Sequence, residues 1–441
     1  MAKSRQAPQS DPCMTPLRLL IATVGGSPQP VVTSVLHWHP QRAIFIVSPQ
    51  TASSLSAEII PAIQNGGWAE FDSGRYDCFT IEDPENLSVV VKKLRALDEP
   101  VYSWLARGPQ ASVVVDFTGG TKVMTAALTL VASRWPCRLS YIGGKQRTKD
   151  GMGIVLEGAE TVITSENPAD ELAWLAVDSA LSLLSQHAYA AAARVLNDAI
   201  HKVTDPGRKA ELSALVLLSE ALAAWDRFDH RNALDSLQKV LRRIHDLEAA
   251  LGRDLTSRLF PALEALHQHL EQVREAGNAA PSRAVLIDLL ANARRRMDEG
   301  RWDDAVARLY RAIEAIAQLL LTHQGIPSTA AVPLDSIPEP LRSEFRPGAD
   351  QDRVRLGLRD AWRLLDSLGH PAAAQFRELG LADPNRSLLT KRNHSILAHG
   401  FQSVEKDVAP KLFQAALKLS NLREDELPRL PIQRFPPPPS S

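Results

Sequence analysis

An arginine and a histidine near the C-terminal end of the chain have side chains suited to acid–base chemistry on RNA. Arg392 and His399 lie seven residues apart in the sequence Lys-Arg-Asn-His-Ser-Ile-Leu-Ala-His-Gly. On one helix from about 386 to 399, they would share a face, about 20° out of register. Histidine exchanges a proton near neutral pH, and arginine binds two phosphate oxygens at once. The pair could therefore help a ribose 2′-hydroxyl to attack the adjacent phosphorus and the 5′-oxygen to leave.

The same two residues also have a purely structural interpretation, which is the commoner one for this spacing alone. Arg392 could pair with a helical carboxylate, and His399 could cap the helix end before Gly400. Seven helical residues rise about 10.5 Å, so a single copy would not easily surround a scissile phosphate. Two copies brought together in a symmetric dimer would do so more easily.

Two glycine-containing loops in the N-terminal third form a second candidate site. Residues 23–27 read Thr-Val-Gly-Gly-Ser and residues 118–122 read Thr-Gly-Gly-Thr-Lys. Glycine backbones, hydroxyl groups and helix N-termini bind anions such as phosphates, and Lys122 adds a positive charge. Neither loop has the spacing of a Walker A or dinucleotide-binding motif. Two tight turns, with Thr121 capping a helix, therefore remain an equal alternative.

The apolar runs before these loops predict a parallel sheet that is buried on both faces. Residues 17–24, 43–47 and 112–117 are almost continuously apolar. The alternating helices are predicted at about 51–64, 84–106 and 121–134. Two further β segments, at about 138–142 and 153–163, would complete the domain as a hairpin. We therefore expect a Rossmann-like α/β domain over residues 16–167, preceded by a disordered tail at 1–15.

From residue 168 the composition predicts helices almost throughout, because alanine and leucine dominate and glycine is rare. A pattern of aromatic, alanine, leucine and isoleucine residues at 189–200 recurs at 302–313, as in tetratricopeptide-like helix pairs, although a period of about 34 residues does not hold. An apolar stripe predicts a bundle helix at about 302–323, followed by a flexible Pro-rich insertion at about 325–350. The expected regions are an all-α spacer at 168–280, an all-α bundle at 281–425 and a Pro-rich tail at 426–441.

The composition restricts the classes of partner and cofactor. The net charge of −1 provides no global basic field, so contacts with RNA would be local. The three scattered cysteines form neither a disulfide framework nor a zinc pattern, and no targeting or membrane-spanning segment is recognisable, so we expect a cytoplasmic protein with no membrane partner. The sequence has no metal-ligand spacing, and no metal or other cofactor is expected.

The string Asp-Phe-Thr-Gly-Gly-Thr-Lys-Val-Met at 116–124, with Tyr-Ile-Gly-Gly at 141–144 and the loop at 23–27, resembles the CARF domain of CRISPR-associated proteins. This resemblance implies a Rossmann-like domain that dimerises and binds a cyclic oligoadenylate, such as the tetra- or hexa-adenylate, across its two-fold axis. The ligand contacts that it implies are Thr23, Gly25, Gly26, Ser27, Thr118, Gly119, Gly120, Thr121 and Lys122.

The C-terminal string resembles the signature of the HEPN superfamily, whose helical bundles dimerise and often cleave RNA. That signature has an arginine, four to six residues and a histidine, often with a polar residue directly after the arginine. Arg392, Asn393 and His399 match it with six intervening residues. The resemblance implies that Arg392 and His399 are catalytic and that Asn393 orients or contacts a phosphate.

The order of CARF-like domain, helical spacer and HEPN-like bundle resembles the Csm6-like ancillary ribonucleases of type III CRISPR systems. This resemblance implies a homodimeric, metal-independent endoribonuclease for single-stranded RNA in antiviral defence. Its allosteric activator would be the cyclic oligoadenylate. Two alternatives remain open: a ring nuclease that degrades this ligand, and a non-catalytic sensor whose helices serve as a scaffold.

Overall fold

The computed structural model describes most of the chain, in two units. The described residues are 16–144, 161–165, 167–277, 281–345, 352–383, 387–393, 395, 397 and 400–432. The first unit takes its described residues from Met1–Ala176 and Asn197–Leu212, and the second from Val177–Leu196 and Ser213–Ser441. The predicted tail at 1–15, most of the β segment predicted near 153–163, His399 and the end of the Pro-rich tail lie outside the described residues.

A six-stranded sheet organises the first unit. Its strands are β1 (Leu17–Thr23), β2 (Arg42–Val47), β3 (Tyr76–Thr80), β4 (Ala111–Asp116), β5 (Arg138–Gly143) and β6 (Thr161–Ser165). They are ordered β3-β2-β1-β4-β5-β6, and all neighbours are parallel except β5 and β6, which are antiparallel. The predicted Rossmann-like α/β fold is therefore confirmed. An antiparallel pair ends the sheet as predicted, but its second strand is Thr161–Ser165, which overlaps the predicted segment at 153–163 only in residues 161–163.

Helices cover both faces of this sheet. They are α1 (Gln29–Trp38), α2 (Ala52–Ser54), α3 (Ile60–Asn65), α4 (Leu87–Leu94), α5 (Asp98–Leu105) and α6 (Lys122–Ala132). A short helix, α7 (Pro168–Glu171), follows β6 in the chain. A π-helical turn, Leu55–Ile59, joins α2 to α3, and a 3₁₀ turn, Arg95–Leu97, joins α4 to α5. Leu19 and Ile21 of β1 pack in the core with α4, α5 and α6, whereas Leu20 and Ala22 pack in the core with α1 and α3. Alternate residues thus enter opposite cores, so the whole strand must be apolar.

Three elements of this unit differ from the sequence-based expectation. Strand β3 was not predicted because it is a short strand at the sheet edge without a continuous apolar run, and its Asp77 and Cys78 are exposed. Helix α1 was not predicted because Pro28 and Pro30 indicate a loop, yet proline fits the first turn of a helix. The single helix predicted at 84–106 is two helices, joined by the 3₁₀ turn.

The remainder of the described chain is almost entirely helical, as predicted. The helices are α8 (Ala173–Ser185), α9 (Tyr189–Ile200), α10 (Pro206–Asp226), α11 (His230–Arg242), α12 (Ile244–Leu251), α13 (Arg253–Ala276), α14 (Arg283–Asp298), α15 (Trp302–His323), α16 (Glu339–Arg342), α17 (Leu358–Ser367), α18 (Pro371–Glu378), α19 (Leu388–Asn393) and α20 (Val408–Ser420). Helix α15 has the bounds that its apolar stripe predicts, and it packs against α14, α17 and α20. In the described residues, no helix has both the length and the apolar character needed to cross a bilayer.

Two predictions for this region need correction. The Pro-rich insertion contains regular structure, since β7 (Val332–Pro333) pairs with β8 (Arg353–Val354) and is followed by a 3₁₀ turn, Leu334–Ser336. The predicted helix from 386 to 399 ends at Asn393, and Ser395 instead forms a bridge with Gln402. A helix this short is held by tertiary contacts rather than by its own propensity. The predicted unbroken helix from 386 to 399 is therefore wrong for the described residues, and His399 itself lies outside them.

Candidate functional site

The two glycine loops lie beside each other at one edge of the sheet. Strand β1 lies between β2 and β4, and its residue Ala22 pairs with Asp116 of β4. The loops that follow β1 and β4 therefore leave the carboxyl ends of adjacent parallel strands. At this position the strand order reverses direction, and open α/β sheets bind ligands in the crevice outside such a point. The structure thus brings the predicted residues of both loops to one place.

Glycine is required where the two loops touch. A Cβ atom on Gly119 would overlap the Thr23 carbonyl oxygen and lie 2.9 Å from the Gly25 amide nitrogen. A Cβ atom on Gly25 would lie 2.8 Å from the Gly120 amide nitrogen. Gly120 also has a φ of +82°, a conformation that L-residues rarely adopt. By contrast, a Cβ atom on Gly26 would meet no atom within 4 Å. The loops therefore pack backbone to backbone, and Gly26 faces open space.

The threonine hydroxyls of the second loop form hydrogen bonds within the protein. Thr118 Oγ1 accepts a hydrogen bond from the Ile142 amide at 2.7 Å. Thr121 Oγ1 donates to the Pro84 carbonyl at 2.8 Å and accepts from the Met124 amide at 3.1 Å. The second contact makes Thr121 the N-cap of α6, as the sequence predicts. These two side chains therefore hold the shape of the loop.

The remaining predicted ligand contacts differ in accessibility. Thr23 is completely buried, and its hydroxyl has no hydrogen-bond partner among the described residues. Gly26, Ser27 and Lys122 are exposed. Lys122 is the first residue of α6, where the helix N-terminus favours anions. The exposed loop residues and the N-terminus of α6 thus offer backbone donors, one hydroxyl and one ammonium group to a ligand.

Asp116 holds the second loop in place, a role that the sequence alone did not indicate. Its side chain is only 2% exposed. One carboxylate oxygen accepts hydrogen bonds from Ser34 Oγ at 2.8 Å and Ser140 Oγ at 3.0 Å, and the other accepts from the Thr118 amide at 3.0 Å. The signal in the sequence was a carboxylate at the end of an apolar strand, three residues before Gly119.

The C-terminal motif begins on the short helix α19. Arg392 is half-buried, and its guanidinium carbon lies 4.8 Å from the centre of the Tyr310 ring on α15. The neighbouring Lys391 forms an ion pair with Glu405 at 3.2 Å. The Asn393 backbone is the last of the helix, and neither its side chain nor any part of His399 lies within what the structure describes. The structure thus places Arg392 but does not test its convergence with His399.

Two backbone hydrogen bonds link the described residues that follow α19. The Ser395 amide donates to the Arg392 carbonyl at 3.0 Å, and the Gly400 amide donates to the Ser395 carbonyl at 3.2 Å. Farther along, the Val404 amide donates to the two carboxylate oxygens of Asp303 at 3.2 and 3.3 Å. Phe401, which follows Gly400, is 96% exposed. Of the described residues, Ser395, Leu397 and Gly400 therefore do not continue the helix that the spacing predicts.

A buried polar cluster lies where α14 packs against α10, α11 and α13. Asp288 is fully buried and contacts Trp225 Nε1 at 2.5 Å and His230 Nε2 at 2.6 Å, with His269 Nε2 3.8 Å away. Burial by itself raises the pKa of Asp288, but the two histidines and the charge of Arg295 outweigh it and lower the pKa to about 2. Asp288 is therefore a charged group that helps to fix α14.

Among the described residues, no group of three or more His, Cys, Asp or Glu side chains is arranged to hold a metal ion.

Two family models match consecutive segments of the chain. The model described as the Csm6 6H domain matches residues 172–273, and the model described as the Csm6 HEPN domain matches residues 274–423. Together they cover more than half of the sequence. The HEPN model includes Arg392, Asn393 and His399 as well as Tyr310.

Individual relatives extend the similarity to the N-terminal region. The CRISPR system endoribonuclease Csm6 of Thermus thermophilus is 24% identical over 421 residues, which cover 91% of this chain and 84% of the relative. The solved structure of Enterococcus italicus Csm6 bound to cyclic hexa-2′-fluoro-hexa-dAMP has a TM-score of 0.55 at 13% identity, covering 93% of this chain and 96% of that chain. At this identity the structural likeness is one of fold.

Proposed function

Because the chain belongs to the Csm6 family, we propose that it is a CRISPR-associated endoribonuclease that a cyclic oligoadenylate activates. The observation that carries this proposal is the pair of Csm6 domain matches over residues 172–423, which include the Arg392–His399 motif. We assign residues 16–167 to a CARF-like sensing domain, 168–280 to a helical spacer and 281–425 to a HEPN-like ribonuclease domain.

The activator binds at the crevice formed by the two glycine loops. A cyclic oligoadenylate carries one phosphate for each nucleotide, and the exposed groups at the crevice suit anions. Gly26 and Ser27 present exposed backbone, and Lys122 adds a positive charge at the start of α6.

The other predicted ligand residues support these exposed groups. Gly25 and Gly119 do so by allowing the loops to pack closely. Thr23 is buried and supports the shape of the first loop. Thr118, Gly120 and Thr121 fix the second loop, which leads to Lys122.

The reaction is attack of a ribose 2′-oxygen on the adjacent phosphorus of single-stranded RNA. The 2′-hydroxyl loses its proton, the new P–O bond forms, and the bond to the 5′-oxygen breaks as that oxygen gains a proton. His399 performs proton transfer, the Arg392 guanidinium stabilises the negative charge, and Asn393 orients the phosphate. The products are a 2′,3′-cyclic phosphate and a 5′-hydroxyl, and these side chains need no metal for this chemistry.

The active form is a homodimer. Each protomer supplies one Arg392–His399 motif, and two motifs surround a phosphate more completely than one. The activator acts by binding more tightly to the arrangement in which the motifs meet productively, so it raises the population of that arrangement.

Product analysis tests the proposed chemistry. Labelled single-stranded RNA is incubated with EDTA and saturating cyclic tetra- or hexa-adenylate, using the wild-type protein, Arg392→Ala and His399→Ala. We expect cleavage to 2′,3′-cyclic phosphate ends by the wild type and at least a roughly 100-fold loss in each variant, the order expected when general acid–base catalysis is removed. Wild-type cleavage rates in both variants would remove the motif from the mechanism. Chromatography of the adenylate in the same reactions detects the alternative ring-nuclease activity, which would persist in both variants.

A further inference from the structure

We propose that Tyr310 is a positioning residue for Arg392, an inference that rests on the proposed function. Tyr310 lies on α15 and Arg392 on α19, and the ring centre is 4.8 Å from the guanidinium carbon. This distance is within the range of a cation–π contact. Both side chains are half-buried, so the contact is partly shielded from water while Arg392 keeps an accessible portion.

An aromatic contact suits what a catalytic arginine needs. The arginine side chain has several rotatable bonds, and its unrestrained motion would cost binding free energy each time it met a phosphate. Contact with the ring restricts this motion. An aromatic ring, unlike a carboxylate, does not bind the N–H donors of the guanidinium in a bidentate pair, so it does not itself occupy the donors that bind phosphate oxygens.

Helix α15 is held in place by its packing, so Tyr310 has a fixed position. Leu309 and Ile313, on either side of Tyr310 in the sequence, are completely buried, and the helix packs against α14, α17 and α20. Asp303 lies seven residues before Tyr310, so both share one face of α15. The Asp303 carboxylate accepts the hydrogen bond from the Val404 amide. Tyr310 therefore contacts the start of the Arg392–His399 motif, while Asp303 holds the chain just beyond its end.

The contact is expected to affect turnover more than RNA binding. The charge that Arg392 stabilises develops as the phosphorus is attacked, so an imprecisely placed guanidinium costs more in the transition state than in the RNA complex. A residue that only filled space would instead change stability without a selective change in kcat.

The test measures kcat, KM and the thermal midpoint for RNA cleavage at saturating cyclic oligoadenylate. The variants are Tyr310→Phe, which keeps the ring, and Tyr310→Leu, which removes it. Phe345→Leu is the matched control, because it removes an aromatic ring 5.7 Å from the Arg363 guanidinium in the same unit. We expect Tyr310→Phe to stay within about twofold of wild type and Tyr310→Leu to lose roughly tenfold in kcat with KM within about twofold. The control is expected to keep its kcat.

Further variants distinguish a failure of the positioning role of Tyr310 from a failure of the proposed function. In an Arg392→Ala background, Tyr310→Leu should cause no further loss of residual cleavage, because the group that it positions is absent. Should Tyr310→Leu not fold, Tyr310→Met carries the same expectation, since methionine fills irregular space. A wild-type kcat in folded Tyr310→Leu or Tyr310→Met, or equal losses in Tyr310→Phe and Tyr310→Leu, overturns the role of the ring. Full activity of Arg392→Ala alone would instead overturn the proposed function.

Discussion

At the scale of single residues, Gly119 and Gly26, one from each glycine loop, have opposite surroundings. A Cβ atom on Gly119 would collide with the backbone of the first loop, whereas one on Gly26 would meet open space. We expect Gly119→Ala to lower the free energy of unfolding of the first unit by about 1–3 kcal/mol, the usual cost of overpacking. Gly26→Ala should leave it unchanged or slightly higher, because alanine restricts the unfolded chain. Differential scanning calorimetry of both variants measures this, and equal destabilisation would contradict the backbone contact.

The residues that could be predicted from the sequence are those whose chemistry is visible in a short string. The Thr-Gly-Gly-Thr-Lys loop and the Arg392–His399 spacing indicated both candidate sites. Asp116 and Tyr310 could not be given their roles in this way. Asp116 acts through Ser34 and Ser140, and Tyr310 acts through Arg392, which is far from it in the sequence. Such contacts depend on the fold rather than on the local sequence.

At the scale of elements, we expect the charge of Asp288 to help hold α14 in place, because its carboxylate contacts Trp225 and His230 on two other helices. Its pKa is lowered from 3.8 to about 2, so its stabilising effect is fully present above about pH 4 and is lost as the pH falls toward 2. We expect Asp288→Asn to cost about 2 kcal/mol at neutral pH, and the gap to wild type to narrow between about pH 4 and pH 2. Urea denaturation from about pH 2 to pH 7 measures this gap.

The control for this measurement is Asp235→Asn, at an exposed position of the neighbouring helix α11. A surface change of this kind is expected to stay within about 0.5 kcal/mol at every pH. A gap for Asp288→Asn that did not change with pH would mean that the residue contributes shape and hydrogen bonds rather than charge.

Elements with a strong apolar pattern could be predicted from the sequence. Elements whose pairing or ends depend on other parts of the fold could not. The apolar strands β1, β2 and β4 and the striped helix α15 have patterns that require burial, and the structure confirms them. The edge strand β3 is short and has no continuous apolar run, and α19 ends two residues before Ser395, which pairs with Gln402. Both are tertiary effects that override local propensity.

At the scale of the whole molecule, the proposed mechanism requires two chains. We expect sedimentation to give a species of twice the 48.3 kDa mass of the chain. Because two motifs must meet, the cleavage rate per protomer should fall when dilution separates the dimer. Activity assays and sedimentation over the same concentration range compare the two transitions. A fully active monomer would contradict the dimeric site.

The order of the three segments along the chain is also a property of the whole molecule. The CARF-like loop, the helical spacer and the HEPN-like motif were each suggested by separate features of the sequence, and the Csm6 domain matches cover the last two in the same order. Coupling between the ligand and the catalytic motif has no local signature, because it is a difference in ligand affinity between two arrangements of the protein.

The initial rate of cleavage of a labelled single-stranded RNA, recorded against the concentration of cyclic tetra- or hexa-adenylate, therefore tests the central claim most directly. The account predicts that the rate rises with one of these ligands and reaches a plateau. It also predicts that Gly119→Ala shifts the rise to higher ligand concentration and that Arg392→Ala removes it. A rate that is the same without ligand and at saturation with either ligand would contradict the account.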